Sequence, residues 1–173
     1  GGGPGGYLAA ERAGNAGLSV LLFEKRALGG VCLNEGCIPS KALLNSAKIA
    51  DYAKNGKKYG VIAENVSIDH KAVVKRKDKV VRTLVAGVSM KMKKNKVTVI
   101  NDEAVIQGRS ADGFIVKTKD NEYTAQRLLI ASGSVPSMPP IPGLDEGYRN
   151  GFVLTNREIL DITEVPENLV IIG

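Results

Sequence analysis

The chain has no tryptophan, one histidine and two cysteines, and only 5% of its residues are aromatic. Two cysteines and one histidine are too few to form a four-ligand structural zinc site, so the sequence predicts no bound metal. The longest apolar runs, such as LLIA and LVII, are far shorter than the roughly 20 residues that a transmembrane helix needs. We therefore expect neither a metal centre nor a membrane span.

Positive charge is abundant, and the formal net charge is +6. Most of the excess lies between Lys71 and Lys96, in KAVVKRKDKVVRTLVAGVSMKMKKNK. One helical face of that segment is apolar, which makes the lysines its solvated side; the apolar residues are Val74, Val81, Val85, Val88 and Met92. Because no recognition motif accompanies the charge, we expect no nucleic-acid partner.

The chain has 173 residues, of which 43% are hydrophobic, and this fits one sizeable globular domain with the possible start of another. Its helix and strand signals alternate. A glycine loop opens a first helix that stops near Gly14 or Gly17, and LSVLLFE then reads as a buried parallel strand. A second helix runs through SKALLNSAKIADYAK from near Pro39, and a long helix covers about residues 69–94.

β-Rich segments dominate the second half of the chain. KVTVI, AVIQG, GFIVKT and RLLIA are separated by Asn, Asp and Gly, which predicts a small antiparallel meander that returns to the sheet. The proline-rich SVPSMPPIPGLD is a connecting segment, and ENLVIIG begins another buried strand. The order of elements predicts an α/β fold that starts after one strand and ends at another.

Gly1, Gly3 and Gly6 have the spacing GxGxxG at the start of a helix. This spacing lets bare backbone amides and the positive helix end approach a pyrophosphate. Glu24 stands at the end of the second strand, where a carboxylate can bind ribose hydroxyls. The alternative is an ordinary glycine-rich turn beside a charged strand end.

Cys32 and Cys37 are five positions apart in GGVCLNEGCIPSK. In a regular helix five residues advance about 7.5 Å, beyond the usual reach of a disulfide, so a bridge would require distorted backbone. Each cysteine stands near glycine in a loop that leads into a helix. A redox pair and two buried thiols both remain open at this point.

Four segments together indicate a family. GGVCLNEGCIPSKALL resembles the redox-active segment of the FAD-dependent pyridine nucleotide-disulfide oxidoreductases, and GGGPGGYLAA resembles their FAD fingerprint. TAQRLLIASGSVP resembles a later motif of their flavin domain, and LVIIG the approach to their NAD fingerprint. The residues from Leu33 to Lys41 favour the lipoamide branch, since glutathione and mercuric reductases usually carry valine where Leu33 and Ile38 stand.

The resemblance implies an incomplete Rossmann-like α/β domain that binds FAD and combines a parallel sheet with an antiparallel β-meander. Residues 1–135 would form the partial FAD-binding domain without its first strand. Residues 136–167 would connect it to residues 168–173, the first strand of a truncated NAD-binding domain. The chain would then be part of a longer enzyme.

By the same resemblance, Cys32 is the interchange thiol, Cys37 faces the flavin, and Lys41 places a positive charge beside the flavin ring. Where many relatives have threonine this chain has Val31, which removes a hydroxyl contact. The implied cofactor-binding set is Gly1, Gly3, Gly6, Glu24, Lys25, Gly30, Val31, Cys32, Lys41, Ala104, Ser132, Gly133 and Ser134. His70 is expected at the surface.

The implied reaction is oxidation of protein-bound dihydrolipoamide to lipoamide with reduction of NAD, through a Cys32–Cys37 disulfide and FAD. The implied partners are the lipoyl domains of 2-oxo acid dehydrogenase or glycine cleavage complexes, with a homodimeric full-length enzyme. We expect a cytoplasmic protein, or one of the mitochondrial matrix if the source is eukaryotic. This chain alone would be inactive; the alternatives are a glutathione- or mercuric-reductase-like enzyme and a non-catalytic flavin-binding fragment.

Overall fold

The computed structural model describes residues 1–173 and divides them into two compact units. The first comprises residues 1–34 and 82–134, and the second comprises residues 35–81 and 135–173. The long helix α4 contributes its first half to the second unit and its second half to the first. The structure combines helices with a parallel and an antiparallel sheet, in agreement with the predicted α/β class.

The first unit begins with helix α1, Pro4–Asn15. Pro4 stands at the first helical position, where its fixed φ angle suits the helix and its missing amide costs no bond. The helix ends where Gly17 takes a φ of 83°, as the glycine pattern predicts. The short helix α2, Gly30–Asn34, follows later in the same unit.

Strand β1, Leu21–Phe23, pairs in parallel with β2, Thr98–Ile100. Buried apolar side chains of this unit include Leu22 of β1, Val88 and Met92 of the second half of α4, and Val97, which directly precedes β2. Met92 is only 1% exposed. The pair confirms the parallel strand predicted at LSVLLFE. The prediction that KVTVI belongs to the antiparallel meander is wrong, since its residues 98–100 pair in parallel with β1.

An antiparallel meander completes the first unit, in the order β3, β4, β5. Its strands are β3 Val105–Ser110, β4 Gly113–Lys117 and β5 Glu122–Ala125. The prediction that RLLIA forms a strand is wrong, since residues 127–131 are extended without ladder pairing. Leu129 and Ile130 are 64% and 68% exposed because no strand of this chain runs beside them.

The second unit is mainly helical. It contains α3, Cys37–Lys54; a 3-10 turn, Gly56–Tyr59; the first half of α4, His70–Lys94; α5, Leu144–Arg149; and a 3-10 turn, Glu158–Asp161. Its buried side chains include Pro39, Ala42 and Val74. The prediction that ENLVIIG begins a buried strand is wrong, since residues 167–173 are exposed and form no strand. The assignment of residues 168–173 to an NAD-binding domain stays a prediction.

Helix α4 follows the predicted boundaries, and its predicted apolar face is buried or half-buried. Two residues depart from expectation. Lys77 is buried on that face, with 3% exposure, and His70 is half-buried because its Nε2 lies 3.0 Å from the carbonyl oxygen of Ile162. No helix combines the length and apolar character needed to cross a bilayer, and no cluster of three potential metal ligands is present.

Two helical glycines give a direct test of the packing between α1 and the chain after α4. A Cβ atom on Gly14 would overlap the carbonyl oxygen of Asn95, whereas one on Gly87 would meet nothing within 4 Å. We expect Gly14→Ala to destabilise the chain by about 1–3 kcal/mol through overpacking. Gly87→Ala should stabilise it by about 0.5–1 kcal/mol through helix propensity. Urea unfolding of both variants measures the two effects, and equal signs would contradict the packing described.

Candidate functional site

Gly1, Gly3 and Gly6 precede or lie in the first turn of α1, and each position is occupied by glycine for a different structural reason. A Cβ on Gly1 would come within 2.5 Å of the carbonyl oxygen of Ala131, and one on Gly6 would overlap the carbonyl oxygen of Gly1. Gly1 and Gly6 are therefore required by the protein's own packing. A Cβ on Gly3 would make only an ordinary 3.7 Å contact with Gly30 Cα. Nothing in the protein requires glycine at this position, which fits the close approach of a ligand.

A second glycine loop lies against the first. The amide of Gly29 donates to the carbonyl oxygen of Gly2 at 2.8 Å. Gly29 and Gly30 have φ angles of 96° and 58°, values that L residues with side chains rarely adopt. A Cβ on Gly30 would come within 2.5 Å of Gly3 Cα. The two loops can touch here only because Gly30 has no side chain.

Helix α1 has no side-chain cap at its N-terminus, where Gly3 is the N-cap residue. The first amides of a helix lack intrahelical acceptors, and the helix dipole places partial positive charge there. A pyrophosphate group therefore suits this end of α1 in charge. This arrangement fits the predicted phosphate site of FAD.

Glu24 joins the end of β1 to the first glycine loop. Its Oε2 accepts the amide of Gly2 at 2.7 Å, and its Oε1 accepts the amide of Arg26 at 2.8 Å. Each carboxylate oxygen has a second lone pair, so both keep capacity for a ribose hydroxyl. Glu24 thus braces the loop from the position that the sequence predicts for ribose binding; the ribose contact itself stays a prediction.

Cys32 lies in α2, directly after the second glycine loop. Asn34 at the end of this helix donates through Nδ2 to the carbonyl oxygens of Leu28, at 3.1 Å, and Gly30, at 2.9 Å. These two bonds close the turn around Cys32, which is half-buried and carries a thiol. Val31 is 38% exposed, so the side chain found where many relatives have threonine is partly open to solvent.

Of the remaining predicted residues of the first unit, Lys25 and Ala104 lie near strand ends, and residues 132–134 lie in a segment without strand structure. Lys25 forms an exposed ion pair with Glu103 at 2.6 Å, which places Lys25 beside the residue before Ala104. Ser132, Gly133 and Ser134 are exposed and follow Ala131, whose carbonyl faces Gly1. Exposed pairs of this kind contribute little to stability, about 0–1 kcal/mol, so the Lys25–Glu103 pair adds little to the free energy of folding.

Cys37 and Lys41 belong to the second unit, at the start of α3. Gly36 is the N-cap residue of this helix, and its carbonyl oxygen accepts the amide of Ser40 at 3.0 Å. Cys37 and Lys41 are both exposed, and the cysteine carries a thiol. The expectation of a loop around both cysteines is corrected: each lies in a helical turn, and residues 35–36 interrupt the helix between them. The predicted roles of Cys37 and Lys41 stay predictions.

The sequence reasoning missed a capping box in the second unit. In Thr155-Asn156-Arg157-Glu158, the Oε2 of Glu158 accepts the amide of Thr155 at 2.7 Å and its hydroxyl at 2.6 Å. The amide of Arg157 donates back to the Thr155 hydroxyl at 3.2 Å. The S/T-x-x-E spacing is a recognised start signal for a helical turn and is visible in the sequence.

An ion pair also holds the end of the 3-10 turn that follows this capping box. Lys77 Nζ binds the carboxylate of Asp161 and lies 2.8 Å from that of Asp78. Burial would lower the pKa of Lys77, but the two carboxylates outweigh it and raise that pKa above its ordinary value. Lys77 was expected on the solvated side of α4, and its carboxylate partners explain its burial.

The hydroxyl of Thr155 lowers the pKa of Glu158. Burial opposes this shift, and the local amides and Tyr148 reinforce it.

The family profile and the similar proteins indicate the same family. The family profile described as pyridine nucleotide-disulphide oxidoreductase matches residues 1–173. Dihydrolipoyl dehydrogenase of Acholeplasma laidlawii is 42% identical over the whole chain, which covers 51% of that protein. The enzymes of the same name from Mycoplasma genitalium and Bacillus subtilis are each 40% identical over the whole chain. The chain spans 37% and 36% of their lengths.

Solved structures agree on the fold. LpdA from Mycobacterium tuberculosis superposes with a TM-score of 0.82 at 23% identity over 96% of this chain and 37% of its own. The flavoprotein disulfide reductase RclA from Escherichia coli, solved as a Cu(II) complex, gives a TM-score of 0.75 at 25% identity over 96% of this chain and 33% of its own. These neighbours confirm the predicted Rossmann-like α/β class.

Glu158 predicts a pH dependence of stability. Because its pKa is lowered in the folded chain, its bonds stabilise the fold above the unfolded pKa of about 4.5 and are lost as the pH falls through the folded value. Glu158→Gln should therefore be less stable than the parent at pH 7, and the difference should close under acid. Urea unfolding at several pH values measures it; a constant difference between pH 7 and pH 3 would contradict this role.

The glycine cradle predicts that two alanine substitutions separate ligand binding from folding. Gly3→Ala should leave the thermal midpoint nearly unchanged but weaken FAD binding by about tenfold or more, because the new methyl occupies the phosphate approach. Gly6→Ala should lower the midpoint itself, since its Cβ would overlap backbone. Flavin fluorescence titration and thermal unfolding measure the two effects. Normal FAD affinity in a folded Gly3→Ala variant would contradict the assignment.

Proposed function

The chain belongs to the pyridine nucleotide-disulphide oxidoreductase family, and on this premise we propose that the protein containing it is a flavin-dependent disulfide oxidoreductase. One observation supports this proposal more than any other. Gly30, which closes the phosphate cradle against Gly3, lies two residues before Cys32. The same short segment would therefore form a wall of the proposed nucleotide site and carries a thiol into the adjoining helical turn.

The residues present fit FAD. The glycines of the first loop and the α1 N-terminus would hold its pyrophosphate, Glu24 would accept a ribose hydroxyl, and the backbone at Ala104 would face the adenine. Lys41 would place positive charge near the flavin ring. FAD, when bound, would supply the two-electron acceptor between the cysteine pair and NAD.

The cysteine chemistry follows from thiol–disulfide exchange. One thiolate of a dithiol substrate attacks Cys32 in the Cys32–Cys37 disulfide, which forms a mixed disulfide and releases Cys37 as a thiolate. The second substrate thiolate then attacks the substrate sulfur of that mixed disulfide, which closes the substrate's own disulfide and releases Cys32. The substrate loses two electrons and two protons, and the cysteine pair gains the two electrons.

We propose dihydrolipoamide as the dithiol and NAD as the final acceptor. The similar enzymes from three bacteria are all named dihydrolipoyl dehydrogenase, and Leu33 and Ile38 match the lipoamide branch. Lipoyl domains of 2-oxo acid dehydrogenase or glycine cleavage complexes would present the substrate to a homodimeric, cytoplasmic enzyme, or to a mitochondrial one if the source is eukaryotic. Because the chain spans 36% to 51% of these relatives, full activity is proposed for the longer protein, and we expect none from this chain alone.

Substrate preference tests the proposal in the full-length protein that contains this chain. We expect NAD reduction with dihydrolipoamide and no NADPH oxidation with glutathione disulfide. Cys32→Ser and Cys37→Ser should each abolish turnover, whereas Ser46→Ala, on the same helix as Cys37, should retain it. Glutathione disulfide as the better substrate would favour the glutathione-reductase-like alternative, and turnover that survives both cysteine changes would overturn the disulfide mechanism.

A further inference from the structure

The side-chain amide of Asn34 spans the second glycine loop. Its Nδ2 donates to the carbonyl oxygen of Leu28 at 3.1 Å and to that of Gly30 at 2.9 Å, and the residue is half-buried. Both partners are acceptors, so only the NH₂ end of the amide can face them, and its two hydrogens match the two carbonyls. Asn34 therefore closes the loop of residues 28–30 from one side.

Each residue of the enclosed loop contacts the first glycine loop. The amide of Gly29 donates to the carbonyl oxygen of Gly2 at 2.8 Å. A Cβ on Gly2 would come within 2.7 Å of a methyl group of Leu28, which is buried. A Cβ on Gly3 would lie 3.7 Å from the Cα of Gly30. A shift of the second loop would therefore disturb the first loop and the start of α1.

The enclosed loop also needs restraint, because its two glycines have positive φ angles of 96° and 58°. Glycine has more backbone freedom than any other residue, so holding two in succession costs conformational entropy. The carbonyls that Asn34 binds belong to the peptide groups just before Gly29 and just after Gly30. Its two bonds thus bracket the two positive-φ residues and limit the backbone angles between them.

We propose that Asn34 is a positioning residue for the phosphate cradle. Its amide holds the second glycine loop against the first and so keeps the approach to the α1 N-terminus in the form that accepts FAD. The consequence for FAD rests on the proposed function, whereas the hold of Asn34 on the loop does not. Asn34 itself needs no contact with the cofactor to act in this way.

The test compares Asn34→Leu with the parent in the full-length protein that contains this chain. Leucine has nearly the shape of asparagine but donates no hydrogen bond, and it adds no charge near the phosphates. Asn95→Leu is the matched control, because Asn95 is an exposed residue of the same unit whose Nδ2 donates to the carbonyl oxygen of Lys91 at the end of α4. Thermal unfolding establishes that each variant is folded.

The first readout needs no cofactor. Hydrogen exchange of the apoprotein, followed by mass spectrometry on peptides that cover residues 26–32, reports on the Gly29 amide and its bond to Gly2. We expect Asn34→Leu to speed exchange in this segment at least about fivefold through more frequent local opening, and Asn95→Leu to leave it unchanged. Equal exchange in the parent and a folded Asn34→Leu protein would overturn the proposal.

The second readout is FAD affinity, measured by flavin fluorescence. We expect Asn34→Leu to weaken binding about tenfold, the effect of losing two neutral hydrogen bonds that preserve the binding-competent loop, and Asn95→Leu to bind as the parent does. Faster exchange combined with parent-like FAD affinity would overturn the positioning role. If Asn34→Leu does not fold, Asn34→Ser, which keeps one donor, should weaken binding about threefold, and parent-like affinity in that variant would count against the proposal.

A double variant distinguishes positioning from a general loss of stability. Gly3→Ala already obstructs the approach that Asn34 is proposed to maintain, so Gly3→Ala with Asn34→Leu should weaken FAD binding by less than the product of the two separate factors. Factors that multiply in full would contradict an action through the Gly3–Gly30 contact. A parent that retains no FAD would contradict the proposed flavin function, while faster exchange in Asn34→Leu would still support the hold of Asn34 on the loop.

Discussion

The close contact of two glycine loops is the constraint on which the first unit depends. Gly3 and Gly30 meet at a distance that allows no Cβ on Gly30, and the amide of Gly29 binds the carbonyl of Gly2 next to them. This contact places the amides at the start of α1 beside the chain that runs into the Cys32 helix. The two loops can approach this closely only because Gly30 has no side chain.

In the second unit, ion pairs and hydrogen bonds to carboxylates fix the arrangement of the chain. Glu35, Glu158 and Asp161 each have a partner from another part of this unit or from the capping turn, and these pairs fix residues 155–162 against α4 and the turn before Cys37. Half-buried charges are costly when they lose a partner, so the pairs specify one arrangement more than they add net stability.

Local patterns predicted most of the fold and much of the candidate site. The spacing of Gly1, Gly3 and Gly6, the apolar face of α4 and the position of Pro39 are each encoded within a few residues, and the structure has the corresponding helices. RLLIA was wrongly predicted as a strand because its composition suits one, while a strand also needs a hydrogen-bonded neighbour. Lys77 and the Glu35–Arg157 pair were missed because their partners lie far away in the chain, and periodicity treats every charged residue as solvated.

The most direct test of the central claim is an anaerobic titration of this chain with FAD and then with reduced lipoamide, followed by the visible flavin spectrum. If the glycine cradle holds FAD and the cysteine pair reacts as proposed, bound flavin should gain long-wavelength charge-transfer absorbance when the dithiol is added. Flavin that binds but does not respond to the dithiol would contradict the role of Cys32 and Cys37. Failure to retain flavin would contradict the cradle built by the two glycine loops.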